Sequence, residues 1–76
     1  MVILFMKIYK VFYKAGPTTR EIGKGRNLGK AQRVIYRFLE KNHYKVLYWR
    51  HWHDNYGYWY DVGSWSECFN IKKEVI

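Results

Sequence analysis

The chain has 76 residues, a formal net charge of +8 and a single cysteine. This length allows one domain with a small core, because a chain of this size buries only about 60% of its unfolded surface. One cysteine excludes an internal disulfide framework and fits a reducing compartment.

The aromatic content is high for so small a core, with four Phe, four Trp and eight Tyr. Some of these rings are therefore expected at the surface, where Tyr and Trp are typical of contact sites. Half-exposed strand faces are the alternative explanation, and the composition does not decide between the two.

The charge is unevenly distributed. Twelve of the fourteen Lys and Arg residues lie in residues 1–50, where Glu21 and Glu40 are the only acids, whereas residues 51–76 hold two lysines and four acids. This asymmetry indicates an anionic partner: nucleic acid or an acidic protein surface, rather than a lipid headgroup layer. The apolar residues 2–6 are too few to cross a membrane and have no basic leader, so the sequence predicts a cytoplasmic protein.

The first third of the chain predicts one strand and a loop. Met6 to Tyr13 is rich in β-branched and aromatic residues and predicts a strand, with residues 1–5 as an extension. Thr18 and Glu21 have the spacing of a capping box, which predicts one helical turn ended by Gly23. A loop is then expected up to about Asn27.

The clearest helix signal covers Leu28 to Lys41. Five apolar residues recur with the spacing of one buried face: Ala31, Val34, Ile35, Phe38 and Leu39. Asn27 is the expected N-cap and Asn42 the expected left-handed residue at the end. The opposite side of the helix carries a stripe of cations, which is either a solvated face or a binding surface: Lys30, Arg33, Arg37 and Lys41.

The last part of the chain predicts three strands. These are Tyr44–Trp52, Tyr58–Val62 and Ser66–Lys72, separated by turn residues at 53–57 and 63–64. The resulting order is β-α-β-β-β. We therefore predict a single α+β domain over residues 1–76, in which one amphipathic helix packs on a mainly antiparallel sheet in two layers.

The glycine-rich stretch IGKGRNLGK, residues 22–30, does not form a nucleotide-binding loop of the Walker type. Lys24 stands where the first glycine of that pattern belongs, and Ala31 stands where a metal-binding hydroxyl belongs. A flexible loop carrying Lys24, Arg26 and Lys30 into a helix N-terminus still suits an anion such as a phosphate or a carboxylate. It is equally compatible with a solvated connection.

Catalytic and metal sites are not predicted. His51 and His53 would point to one side of a strand as two zinc ligands, but nothing in the sequence fixes a third. Cys68, Ser64 and Ser66 lack the local pattern of a nucleophile, and Cys68 is expected as a small apolar residue in a strand. We therefore expect a non-enzymatic protein with no cofactor.

The stretches YKVLYWRHW and YGYWY interleave cations with aromatic rings. Exposed rings stack on bases while Lys and Arg follow the phosphates, so this composition favours nucleic-acid binding. Residues 57–60 faintly resemble the aromatic strand of RNA-recognition domains, without its leading cation.

A second resemblance lies at the end of the chain, in the eleven residues DVGSWSECFNI from Asp61 to Ile71. This segment resembles the closing strand pair of small proteins encoded by phages and mobile elements, which include inhibitors of bacterial defence systems such as anti-CRISPR proteins. The resemblance implies a non-enzymatic protein in the cytoplasm of a bacterial host that blocks a nucleic-acid-handling complex. It transfers no active site.

Two hypotheses follow from the sequence. The first is a small basic inhibitor of a host defence complex that acts by steric occlusion, and the alternative is direct DNA or RNA binding. In both, the anionic contact would use Lys24, Arg26, Lys30, Arg33, Arg37 and Lys41. The aromatic contacts would be Tyr48, Trp49, Trp52, Tyr58 and Trp59, some of which are also expected to contribute to the core.

Overall fold

The computed structural model describes residues 6–63 and 66–75. Its elements, in chain order, are β1 (Lys7–Ala15), β2 (Thr18–Gly25), α1 (Leu28–Lys41), β3 (Arg50–Asp54), β4 (Gly57–Asp61) and β5 (Glu67–Val75). The strands form one sheet in the order β2-β1-β5-β4-β3, and all neighbours are antiparallel. Helix α1 packs on one face of the sheet, which confirms the predicted two-layer α+β class.

The core lies between α1 and the face of the sheet that it covers. Alternate strand positions point to this face, and its fully buried residues are Val11, Tyr60, Phe69 and Ile71. The helix contributes the buried side chains at positions 31, 35 and 39, as the apolar spacing predicts. This burial is the main stabilising contribution in so small a domain.

Two contacts fix the helix on the sheet. The side-chain amide of Gln32 donates a hydrogen bond of 2.8 Å to the hydroxyl of Tyr60, and burial raises the pKa of that hydroxyl. Farther along the helix, the Phe38 ring packs against Tyr13 and Phe69, with ring centroids 4.7 Å and 5.5 Å apart. The helix therefore lies over β2 and β1, and its side chains Gln32 and Phe38 reach across to β4 and β5.

The helix begins and ends where the sequence predicts. Asn27 is the N-cap, and its side-chain oxygen accepts a 2.9 Å hydrogen bond from the backbone N–H of Lys30. At the other end, the Asn42 side-chain amide donates to the carbonyl of Phe38 at 2.8 Å. The prediction of a left-handed Asn42 is wrong, because its φ is −95° and the next residue, His43, has the positive φ of 51°.

Strand β2 replaces the helical turn and loop that the sequence predicts at residues 18–27. It pairs with β1 from Thr18 opposite Ala15 to Gly25 opposite Tyr9. A capping box at Thr18 stabilises the chain only where a helix continues beyond it. Here a tight turn at Gly16, with φ of 59°, brings β2 alongside β1 instead. The hydrogen-bonded ladder therefore outweighs the local signal, and the sheet has five strands instead of four.

Gly23 and Gly25 lie in β2 where α1 approaches most closely. A Cβ atom on Gly23 would lie 2.7 Å from a methyl group of Val34, and one on Gly25 would lie 2.7 Å from the backbone nitrogen of Ala31. The glycines of the IGKGRNLG stretch thus allow the helix to pack against the strand.

The segment after the helix also differs from the prediction, because a regular strand starts only at Arg50 and not at Tyr44. In residues 44–49, only Tyr44 and Trp49 pack against the core, and Trp49 contacts Tyr36 and Tyr60. The backbone N–H of Leu47 donates to the carbonyl of Val62. The predicted extension at residues 1–5 and the Ser64 turn position lie outside the described residues. The single helix of the described part, with fourteen residues, is too short to cross a membrane.

Candidate functional site

The face of the sheet opposite α1 carries no helix within residues 6–63 and 66–75, and we call it the open sheet face. One row of side chains crosses all five strands on this face. In the strand register, Glu21 lies opposite Phe12, Phe12 opposite Asn70, Asn70 opposite Trp59, and Trp59 opposite Trp52. Directly paired residues of antiparallel strands share a face, so these five side chains form one line.

Three members of this line are aromatic, and we call Phe12, Trp59 and Trp52 the aromatic row. The rings of Trp52 and Trp59 have centroids 6.5 Å apart and planes only 14° from parallel. Trp52 is 42% exposed, and the other two rings are half-buried. Because Phe12 and Trp59 are separated by one strand, roughly 10 Å of sheet lies between them. The row therefore offers flat ring surfaces at successive positions.

Each ring of the aromatic row has a cation above it. The Lys72 ammonium lies 5.4 Å from the centroid of Phe12, the Lys14 ammonium 4.7 Å from Trp59, and the Arg50 guanidinium 5.2 Å from Trp52. These distances are within the range of cation–π attraction. A planar ligand with a negative group would therefore meet a ring and a cation together.

The Trp59 ring is held in place by Asp54. The indole N–H of Trp59 donates to Oδ1 of Asp54 at 2.9 Å, and the same oxygen accepts the backbone N–H of Tyr56 at 2.8 Å. One carboxylate thus joins the β3–β4 turn to the ring. The orientation of the ring is set before any ligand arrives, which lowers the entropy cost of binding.

A second carboxylate, Asp61, organises the end of the row. It accepts hydrogen bonds from the backbone N–H of Gly63 at 2.9 Å, from the Tyr48 hydroxyl at 3.3 Å and from the Arg50 guanidinium at 2.8 Å. These donors, with the Gly63 N–H first, hold the pKa of Asp61 below its ordinary value. The ion pair with Asp61 fixes Arg50 over Trp52.

Five cations lie on the open sheet face, and two of them are paired. Lys10 contacts Glu74 at 3.1 Å, and Arg50 contacts Asp61. No ion pair within the described ranges involves the other three, which are Lys14, Lys24 and Lys72. The sequence groups Lys24 with the helix cations, but its register opposite Lys10 puts it on the open sheet face. These three lysines are available to an anion.

A shallow pocket of about 340 Å³ adjoins the aromatic row. Its lining includes Lys14, Trp52, Trp59 and Cys68. Burial raises the pKa of the Cys68 thiol, so the group is neutral at pH 7 and the pocket wall is not a thiolate. The pocket extends the row with one cation, the neutral thiol and two carboxylates, Asp61 and Glu67, which also line it.

The other cationic surface lies on α1, and we call Lys30, Arg33, Arg37 and Lys41 the basic helix stripe. All four side chains are exposed, and they lie on the side of the helix opposite the buried residues Ala31, Ile35 and Leu39. Arg26, in the loop before the helix, is exposed as well. The stripe and the aromatic row therefore face away from each other, with the sheet and the helix between them.

The five aromatic contacts named from the sequence are divided between the two faces. Trp52 and Trp59 lie on the open sheet face. Trp49 and Tyr58 are half-buried against the core on the helix-covered face. Tyr48 is 51% exposed and donates to Asp61 through its hydroxyl. All five rings lie within a segment of twelve residues. Their places in the sequence therefore do not indicate which face of the sheet each one occupies.

The two candidate zinc ligands share one face of β3, as alternation predicts. His51 stacks on Tyr60 with centroids 6.0 Å apart, and His53 packs on Tyr58 at 5.8 Å. Within the described ranges, no three His, Cys, Asp or Glu side chains come together as metal ligands. The histidines therefore act as partners of the tyrosine rings.

Four residues of the open sheet face did not follow from the sequence as contacts: Phe12, Lys14, Arg50 and Lys72. The signal for the first two was present in β1, where Lys10, Phe12 and Lys14 alternate and so share one face. Lys72 could not be assigned, because its place over Phe12 depends on the pairing of β1 with β5. Neither a protein-family model, nor a curated protein, nor a solved structure matches this chain.

Proposed function

We propose that this protein binds single-stranded nucleic acid on the open sheet face. The observation that carries the proposal is the aromatic row, in which each of three rings has a cation within 4.7–5.4 Å. Proteins that bind single strands combine aromatic platforms with cations that follow the backbone. The three rings lie on neighbouring or next-neighbouring strands, so successive bases can stack on them.

At Phe12 and Trp59 the binding step is an exchange above the ring. A base replaces the cation over the ring, and the displaced Lys14 or Lys72 side chain, which is long and flexible, contacts the adjoining phosphate. Arg50 stays in place because Asp61 holds it, and it contributes its planar guanidinium beside Trp52. Stacking contributes about 1–3 kcal/mol per base, and the lysines make the affinity dependent on salt.

A single strand fits this face better than a duplex does. In a duplex the faces of the bases are stacked on each other and are not accessible to protein rings, whereas an unpaired strand exposes them. The aromatic row runs across a five-stranded sheet, which is wider than the α-helix or two-stranded ribbon that the major groove of B-form DNA admits. Duplex binding at this face would rest on three lysines alone.

The test is fluorescence anisotropy with labelled oligothymidylate and oligouridylate of about ten nucleotides, and with a duplex of the same length, across a salt series. We expect both single strands to bind more tightly than the duplex, and Trp52→Ala to weaken only the single strands. Tyr36→Ala is the control, because Tyr36 is an exposed aromatic residue on the helix side. The proposal would be contradicted if Trp52→Ala had no effect on the affinity for either single strand, or if it weakened the duplex to the same extent.

The inhibitor hypothesis is the second candidate, and the basic helix stripe favours it because an acidic protein surface would be complementary to four exposed cations. It makes a different prediction in the same experiment. An inhibitor of this kind binds neither probe at moderate salt, and its activity is lost on reversing the stripe charges. That outcome would direct the search to a pull-down from bacterial lysate with wild-type and reversed-stripe protein.

A further inference from the structure

The basic helix stripe has no role in single-strand binding on the open sheet face. Its four cations are exposed, and none forms an ion pair with a described residue. Their helical spacing carries them along about 16 Å of the α1 axis. A cationic line of this length that forms no ion pair with a described carboxylate is a surface still open to an anion.

A strand that lies along the aromatic row does not also lie on the stripe. The row and the stripe lie on opposite sides of the two layers, and even the shortest dimension of the Cα trace is 20 Å. An oligonucleotide that stays on the open sheet face therefore leaves the stripe accessible. The two surfaces can be occupied independently.

The chemistry of the stripe suits a phosphodiester backbone. The stripe consists of Lys and Arg, and no aromatic or aliphatic residue lies on the same arc of the helix. The centres of protein–protein interfaces are, by contrast, rich in aromatic residues and poor in Lys. Duplex DNA presents one negative charge per about 1.7 Å of axis, so several phosphates lie within reach of a 16 Å cationic line. Such contacts fix position without reading sequence.

We infer that the protein bridges two nucleic-acid segments, holding a single strand on the open sheet face and the phosphate backbone of a second, duplex segment on the basic helix stripe. This inference rests on the proposed single-strand function for its first segment only. The domain would thereby bring an unpaired strand next to a duplex. Neither surface by itself can do this.

The experiment is a capture assay with two probes that cannot pair. A biotinylated oligothymidylate of about eight nucleotides is immobilised, and a fluorescent duplex without an A-tract is added with the protein. Wild-type protein is expected to retain the duplex on the beads. The double variant Arg33→Glu/Arg37→Glu is expected to lose duplex retention by about tenfold or more and to keep its anisotropy-measured affinity for free oligothymidylate within about twofold.

Two controls make the assay specific. Lys45→Glu/Lys73→Glu has the same change in charge on exposed side chains outside both surfaces, so it should retain the duplex like wild type. Trp52→Ala should lose retention because it releases the immobilised strand. Bridging by a dimer through two open sheet faces would survive the Arg33 and Arg37 reversals, so that result would overturn the inference.

The remaining outcomes separate the inference from the proposed function. If the protein binds oligothymidylate but captures no duplex, the bridging inference is wrong, the single-strand function stands, and an acidic protein becomes the candidate partner of the stripe. If the protein does not bind oligothymidylate, the proposed function is wrong and the bridge is wrong with it.

Discussion

Trp52 and Trp59 lie directly opposite each other on neighbouring antiparallel strands, with ring planes 14° apart and centroids 6.5 Å apart. Arg50 lies over the first ring and Lys14 over the second. This pair forms the end of the aromatic row at the β3 edge of the sheet, and both rings line the shallow pocket on the open sheet face. Each prediction below tests a contact made by this face or by the packing that supports it.

Trp52→Ala should lower the affinity for a single strand by about 5- to 150-fold, which corresponds to the loss of one stacked base. The fold should be retained, since the side chain is 42% exposed and lies outside the core. Anisotropy titration measures the affinity, and circular dichroism monitors the fold. An affinity equal to that of wild type would show that bases do not stack on this ring.

Lys72 and Lys73 form a matched pair of neighbours on β5, because strand alternation puts them on opposite faces. Lys72→Gln should make the plot of log K against log salt concentration less steep by about 0.7, the value for one phosphate contact on a single strand. Lys73→Gln should leave the slope unchanged. Equal slopes for the two variants would mean that the charge acts only over long range.

Gly23→Ala should lower the free energy of unfolding by about 1–3 kcal/mol, because the new methyl group would overlap Val34 at 2.7 Å. Adding Val34→Ala should restore part of this loss, since it removes the atoms that clash. Denaturant unfolding of the two single variants and the double variant measures the coupling. Strictly additive losses would show that α1 can move away from β2 at little cost.

The Asp61 carboxylate should make the free energy of unfolding depend on pH in the acid range. Its pKa is lowered in the folded protein, chiefly by the Gly63 N–H and also by Tyr48 and Arg50, relative to about 3.9 in the unfolded chain. The unfolded state therefore binds a proton first as pH falls, and the stability that Asp61 contributes is present above pH 4 and is lost progressively below it. Asp61→Asn should be less stable than wild type at pH 7.

The measurement for Asp61 is the midpoint of urea unfolding at several pH values between about 2.5 and 7. The wild-type midpoint should fall more steeply below pH 4 than that of Asp61→Asn, so the two curves should converge in acid. Parallel curves would show that other carboxylates determine the acid sensitivity.

Much of the fold follows from the sequence where local signals agree. The helix has the predicted bounds because its apolar spacing and the Asn27 cap indicate the same segment. The sequence does not predict the β2 strand, because TTREIGKG has two glycines, no aromatic residue and the Thr-x-x-Glu spacing of a capping box, so its local preference for a strand is weak. It forms a strand because β1 supplies a hydrogen-bonded partner along its whole length.

The candidate site also has one part that the sequence predicts and one part that it does not. The basic helix stripe could be read from the sequence, because the period of one helix fixes which of its residues share a side. The aromatic row could not, since Phe12, Trp59 and Trp52 come from three strands and only the register of β1, β5, β4 and β3 aligns them. Proximity in the chain also does not predict the position of Lys24. This residue is close to Arg26 in the sequence but lies with Lys10 on the open sheet face.

The sequence by itself determined the α+β class, the bounds of the helix and its N-cap, the cationic half of the chain and the failure of the Walker pattern. These depend on interactions between residues a few positions apart, whose geometry is set by the backbone period. Only the tertiary structure decided which rings are core and which are exposed, and which cations lie above them. A side chain's face in a sheet depends on pairing with distant strands, and a shift of one residue would move every side chain of a strand to the other face.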